Sequence, residues 1–181
     1  MNWHEVHLDE VFPAPWRNGG GITRELLAWP HKDSWSVRIS VAEIAKSGPF
    51  SPFPGVARWF AVLRGNGVAL KGQQLDARSD PLQFDGGDAV ECKLVDGATE
   101  DFNLMLQGRE GVLRRVKGRH EIACLKGALV GIYSHDHEVA FLAVQVRIVI
   151  PPRTLAWNVM PMDERVGFET EGALWFEVTA P

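Results

Sequence analysis

The clearest periodicity in the chain repeats every two residues. In Trp35-Ser36-Val37-Arg38-Ile39-Ser40-Val41, Trp35, Val37, Ile39 and Val41 share one face while Ser36, Arg38 and Ser40 share the other. That pattern fits a strand and gives a helix no continuous apolar stripe. Further short runs with strand character fall at residues 3–8, 22–29, 58–63, 68–70, 73–78, 81–84, 89–94 and 101–106. The second half adds 112–116, 121–125, 128–133, 139–150, 155–160 and 174–178. Turn chemistry separates them: Arg64-Gly65-Asn66-Gly67 suits a hairpin, Asp85-Gly86-Gly87-Asp88 a second turn, and Gly127, Pro151-Pro152 and Pro161 punctuate the rest. No convincing amphipathic helix appears in the second half. Many short strands without intervening helices predict an all-β antiparallel sandwich or barrel.

One stretch stands apart. Trp16-Arg17-Asn18-Gly19-Gly20-Gly21-Ile22-Thr23-Arg24-Glu25-Leu26 places three glycines between polar flanks. Two readings stand open: a glycine-rich connection between strands, or a bare backbone whose N–H groups cradle a small anion.

An apolar fraction of 45% and a charged fraction of 23% are those of an ordinary globular chain, so disorder is not expected to dominate. The net charge of −4 supplies no basic field, which argues against a nucleic-acid or acidic-membrane partner. Met1-Asn2-Trp3-His4-Glu5 lacks the basic start and apolar run of a secretory signal, and the most apolar run, residues 141–150, is interrupted by Gln145 and Arg147. A cytoplasmic protein is therefore expected. Cys92 and Cys124, without metal-ligand spacing, are expected as buried reduced thiols.

Four blocks carry a family resemblance: Trp-Arg-Asn-Gly-Gly-Gly-Ile-Thr-Arg-Glu at 16–25, Trp-Ser-Val-Arg-Ile-Ser-Val-Ala at 35–42, Gly-Pro-Phe-Ser-Pro-Phe-Pro-Gly-Val-Ala-Arg at 48–58, and Asp-Phe-Asn-Leu-Met at 101–105. In that order they resemble the HutD/Ves family. The resemblance implies a compact bicupin of two small antiparallel β-barrel lobes, one unit over 1–181 with approximate lobes 1–108 and 109–181. It also links the chain to histidine utilisation and stress-induced expression, and implies binding of a small acidic metabolite that moderates the pathway. Cupin-like barrels often associate through exposed strands, so a homodimer is an open expectation.

Metal-dependent cupins hold a divalent ion with a His-x-His pair, a glutamate and a later histidine. The first half departs from that pattern. His135-Asp136-His137-Glu138 is the one His-x-His run, but no glutamate follows at cupin spacing and a solvated polar turn is expected there. No cofactor and no metal are expected. Gly-x-Ser-x-Gly is absent, and the triple glycine lacks the Gly-Lys-Ser/Thr ending of a P-loop.

What remains are polar strand faces: Arg38 with Ser40, Asp101 with Asn103, and Arg58 after the proline-rich loop. If these faces point into the first barrel, Arg38 and Arg58 would neutralise a carboxylate while Asn18, Gly20, Thr23 and Ser40 orient it. Asp101 and Asn103 would recognise an amine or amide, or hold the arginines in place. If the faces point to water they are ordinary solvated strand surface. The first reading makes the chain a non-catalytic, metal-free binder of a small carboxylated metabolite; the alternative is a metal-independent isomerase or hydrolase with Asp101 as general base.

Overall fold

The computed structural model describes residues 3–142 and 147–180. Gln145, counted above as an interruption of the apolar run, and Met1 and Asn2 lie outside the described residues. Strand β1 (His4–His7) opens the chain, and a single 3-10 turn follows at Leu8–Glu10. The chain continues through β2 (Ala14–Pro15), β3 (Gly21–Trp29), β4 (Val37–Ile44), β5 (Gly48–Pro49), β6 (Val56–Arg64), β7 (Val68–Leu70), β8 (Gln73–Leu75), β9 (Leu82–Asp85), β10 (Glu91–Leu94) and β11 (Thr99–Gln107). It ends with β12 (Gly111–Cys124), β13 (Leu129–Ser134), β14 (Val139–Leu142), β15 (Arg147–Ile150), β16 (Thr154–Val159) and β17 (Glu164–Val178). Every strand pairing is antiparallel. Among the described residues no helix is long and apolar enough to cross a membrane. The chain forms a bicupin of two small β-barrel lobes.

The first lobe, residues 11–108, has two sheets. A six-stranded sheet runs β2-β3-β4-β11-β6-β9 and a four-stranded sheet β5-β10-β7-β8. Ala42, Ile44, Phe60, Val62 and Phe84 of the first sheet pack with Val68, Leu70, Leu75 and Cys92 of the second, with Val90 beside them. The Gly65-Asn66-Gly67 segment has hairpin chemistry but makes no hairpin between its flanking strands. It carries the chain from one sheet to the other, because β6 pairs with β9 and β11 whereas β7 pairs with β8 and β10.

The second lobe comprises residues 109–181 together with 1–10. The opening strand, assigned to the first lobe by the sequence division, belongs here because His4–His7 pairs residue for residue with Trp157–Thr154. Two predicted strands at 112–116 and 121–125 are one long β12. Gly118, at φ +85°, takes up a register irregularity in it instead of ending the strand. Of the predicted strand at 139–150, residues 143–146 lie outside the described residues, and the flanking parts are two strands, β14 and β15, paired antiparallel. The interior of the second lobe is apolar, built on Val130, Ile132, Phe141, Phe168 and Trp175. Cys92 and Cys124 are free and buried, as the sequence predicted.

Candidate functional site

Directly opposed residues of antiparallel strands project to the same face, so the register of the six-stranded sheet fixes what enters the first barrel. Arg58 on β6 opposes Met105 on β11, which opposes Arg38 on β4. One rung along, Phe60, Asn103 and Ser40 line up in the same way, and beyond them Val62, Asp101 and Ala42. Phe60, Val62 and Ala42 belong to the barrel core, so the whole face points inward. The Arg38–Ser40 face therefore does not point to water. The opposite face of β4, with Val37, Ile39 and Val41, is buried as well.

This inner face opens into a cavity of about 520 Å³. Its walls include Trp16, Arg17, Asn18, Thr23, Arg38, Ser40, Phe50, Phe53, Arg58, Asn103 and Met105. Six of the eight residues singled out from the sequence thus meet around one space: Asn18, Thr23, Arg38, Ser40, Arg58 and Asn103. Gly20 and Asp101 are not in the cavity wall.

The glycine run is a turn. β2 pairs with β3, and the connection closes with Trp16 N–H donating to Gly21 O at 2.9 Å and Gly19 N–H to Trp16 O at 3.0 Å. Gly19 needs its left-handed φ of +66°, while a Cβ on Gly21 would lie 2.3 Å from the Glu43 carbonyl oxygen. The N–H groups of Gly19 and Gly20 are taken up by Trp16 O and Asn18 Oδ1, so the run is not an anion-binding nest. It contributes side chains instead. Trp16 Nε1 donates to Thr23 Oγ1 at 2.8 Å, which leaves the Thr23 hydroxyl hydrogen to donate in turn.

Arg58 is the group around which the cavity is built. It is 6% exposed, and its guanidinium carbon lies 4.8 Å from the Phe50 ring centroid, 5.1 Å from Phe84 and 6.0 Å from Phe53. Nη2 donates to Asn103 Oδ1 at 2.7 Å, whereas Nε is buried with no partner. Among the described residues no carboxylate pairs with Arg58. Burial and then the nearby Arg38 charge lower its pKa to about 10, still cationic at neutral pH. Arg38, by contrast, donates from Nε to Glu25 Oε2 at 2.6 Å and from Nη1 to Met105 Sδ at 3.5 Å. The three phenylalanines and Glu25 were not predicted as site residues. The sequence marked the segment before Arg58 only as a proline-rich loop, and the Glu25 contact depends on register.

Asp101 is not part of the cavity wall and is fully buried. Thr99 Oγ1 donates to its Oδ2 at 2.7 Å, and Oδ1 has no partner. Burial pushes its pKa up to about 7 against the Thr99 hydrogen bond, with the Glu100 charge adding to the rise. It touches neither arginine, so it does not hold them in place as one sequence reading had it.

Among the described residues the cavity wall contains no histidine or carboxylate, and its charged members are arginines, a donor set unsuited to a divalent cation. Among the described residues no group of three or more His, Cys, Asp or Glu could hold a metal ion. The His135-to-Glu138 run is a turn, but not a fully solvated one: His135 is buried, with Nδ1 3.2 Å from the Tyr133 hydroxyl and Nε2 3.4 Å from Arg153 Nη1.

A sequence model of the HutD family matches residues 9–166. An uncharacterised 21.2 kDa protein from the hutC 3′ region of Pseudomonas putida is 40% identical over 97 residues, 50% of this chain and 51% of that protein. Protein Ves of Cronobacter sakazakii is 38% identical over 95 residues, 50% of this chain and 52% of Ves. The chain thus matches about half the length of these curated relatives. HutD from Pseudomonas fluorescens superposes with a TM-score of 0.88 at 24% identity, covering 99% of this chain and 100% of that one. A Lactobacillus farciminis oxalate decarboxylase superposes at 0.65 with 8% identity, covering 98% and 86%, a likeness of fold. With the family match running through both lobes, the chain belongs to the HutD family of cupin-like proteins.

Proposed function

We propose that the first lobe binds a small carboxylate, with Arg58 as its anchor. The observation that carries this is a cavity-lining guanidinium buried among three aromatic rings with no carboxylate partner among the described residues. Burying a cation without a counter-ion is costly, and a carboxylate supplies the missing charge. The other polar groups agree in sign. Asn103 commits its oxygen to Arg58 and so turns its amide donor elsewhere, and Thr23 and Ser40 offer hydroxyls. The rings give the ligand's carbon atoms an apolar wall.

Binding without turnover fits this geometry better than catalysis. Asp101, whose pKa burial raises to about 7, is outside the cavity wall, whereas a general base would need to reach the ligand. The relative encoded beside hutC and the family name suggest that the bound acid serves to moderate histidine utilisation, and the likeness to Ves extends the proposal to a stress response.

Calorimetric titration with formate and propionate tests the assignment. Formate suits as the smallest carboxylate, and it figures in the P. fluorescens HutD structure's formate condition and in the oxalate decarboxylase formate complex. Both acids should bind the wild-type chain, and Arg58→Gln should weaken binding by about tenfold or more. Absence of binding by either acid, or equal affinity in Arg58→Gln, would overturn it.

A further inference from the structure

Two arginines, Arg38 and Arg58, face into the cavity, and among the described residues only Arg38 is paired with a carboxylate. Arg38 and Arg58 flank Met105 on a single rung of the sheet. Arg38 is tied to Glu25 at 2.6 Å, with side chains 22% and 30% exposed, while among the described residues Arg58 pairs with no carboxylate. Arg17 reaches the wall from an exposed position, where solvent and salt screen it.

Glu25 stands diagonal to Arg38 across the strand pair, and a β-bulge follows it. Glu25 opposes Ser40, but the register then shifts so that Leu27 opposes Ile39 and Ala28 opposes Arg38. Without the shift Leu27 would stand beside Arg38 on the inner face. With it, Leu27 is buried on the other face and a small residue neighbours Arg38, whose side chain turns back along the strand to Glu25.

We infer that Glu25 determines specificity: by neutralising Arg38 it leaves one uncompensated guanidinium in the cavity and selects a monocarboxylate whose remainder is uncharged over a dicarboxylate. This rests on the carboxylate reading of the same cavity. A second carboxylate would enter beside a pair that is already neutral and lose its hydration without gaining a counter-ion.

The test is a charge-balance series read by calorimetry with propionate and succinate, folding being checked by melting temperature. The wild-type chain should bind propionate about tenfold or more tighter than succinate. Glu25→Gln, which frees Arg38, should raise succinate affinity about tenfold. Arg38→Gln, which leaves Glu25 unpaired, should lower propionate affinity by about as much, and the double variant Glu25→Gln/Arg38→Gln should return it to within about threefold of wild type. This arm keeps the test in hand if Glu25→Gln alone fails to fold. Propionate binding without preference over succinate, or no recovery in the double variant, would overturn the role of Glu25 and leave the carboxylate reading standing. Failure of both acids to bind would overturn both.

Discussion

Arg58 donates from Nη2 to the Asn103 amide oxygen at 2.7 Å, a neutral partner where a buried guanidinium would ordinarily meet a carboxylate. The substitution Asn103→Asp is nearly isosteric and gives Arg58 an internal counter-ion. Carboxylate affinity is expected to fall about tenfold or more while the protein remains folded, as read by calorimetry and melting temperature. Unchanged affinity would mean that the free charge on Arg58 is not what the ligand uses.

Asp101 carries a pH dependence of stability. Its pKa rises from 3.8 in the reference state to about 7 in the folded chain, so the folded state holds the proton more tightly. The associated stability is fully present below pH ~4 and is lost as pH rises through ~7. Asp101→Asn removes the titration while keeping an acceptor for Thr99. It is expected to be about neutral near pH 4 and to stabilise by up to ~4 kcal/mol at pH 8, in denaturant unfolding followed across pH. A difference that does not change with pH would contradict the buried titration.

The aromatic ring set around Arg58 should report on binding and stability separately. Phe84 is buried and its ring centroid lies 5.1 Å from the Arg58 guanidinium carbon, whereas Phe50 is half-buried at the cavity wall. Phe84→Leu is expected to cost about 1–2 kcal/mol of stability through lost packing and cation–π contact. Phe50→Leu is expected to cost less stability and to weaken propionate more than formate, since only propionate has carbon atoms to pack on the wall. Equal losses for both acids would remove Phe50 from ligand contact.

The glycine run offers a purely structural check. Gly21→Ala places a Cβ against the Glu43 carbonyl oxygen, and a loss of about 2–4 kcal/mol is expected. Gly48→Ala, with nothing within 4 Å of its Cβ, is expected to stay within about 1 kcal/mol of wild type. Thermal unfolding of the two variants side by side distinguishes them.

Strand parity made much of this site legible. The alternation through Trp35–Val41 put Arg38 and Ser40 on one face, and that of Asp101–Met105 grouped Asp101 with Asn103; both faces point into the barrel. Parity does not say how deep a residue lies, so Asp101 and Asn103 looked alike although only Asn103 reaches the cavity. Nor does it reveal bulges: the shift at Leu26 that sets Ala28 instead of Leu27 opposite Arg38 leaves no mark in composition or spacing. Gly118 and the Gly65-Asn66-Gly67 segment misled in opposite directions. One glycine bends a continuous strand, while a hairpin-like sequence spans two sheets, because the partner strands, remote in sequence, decide which pairing forms.

The central claim is that a carboxylate supplies the counter-ion of Arg58. A crystal structure of the protein grown with propionate addresses it most directly. The expected result is carboxylate density in the first-lobe cavity, one oxygen within about 3 Å of a nitrogen of the Arg58 guanidinium and the carbon chain against Phe50 or Phe53. Propionate bound away from Arg58, or a cavity without it at saturating concentration, would contradict it.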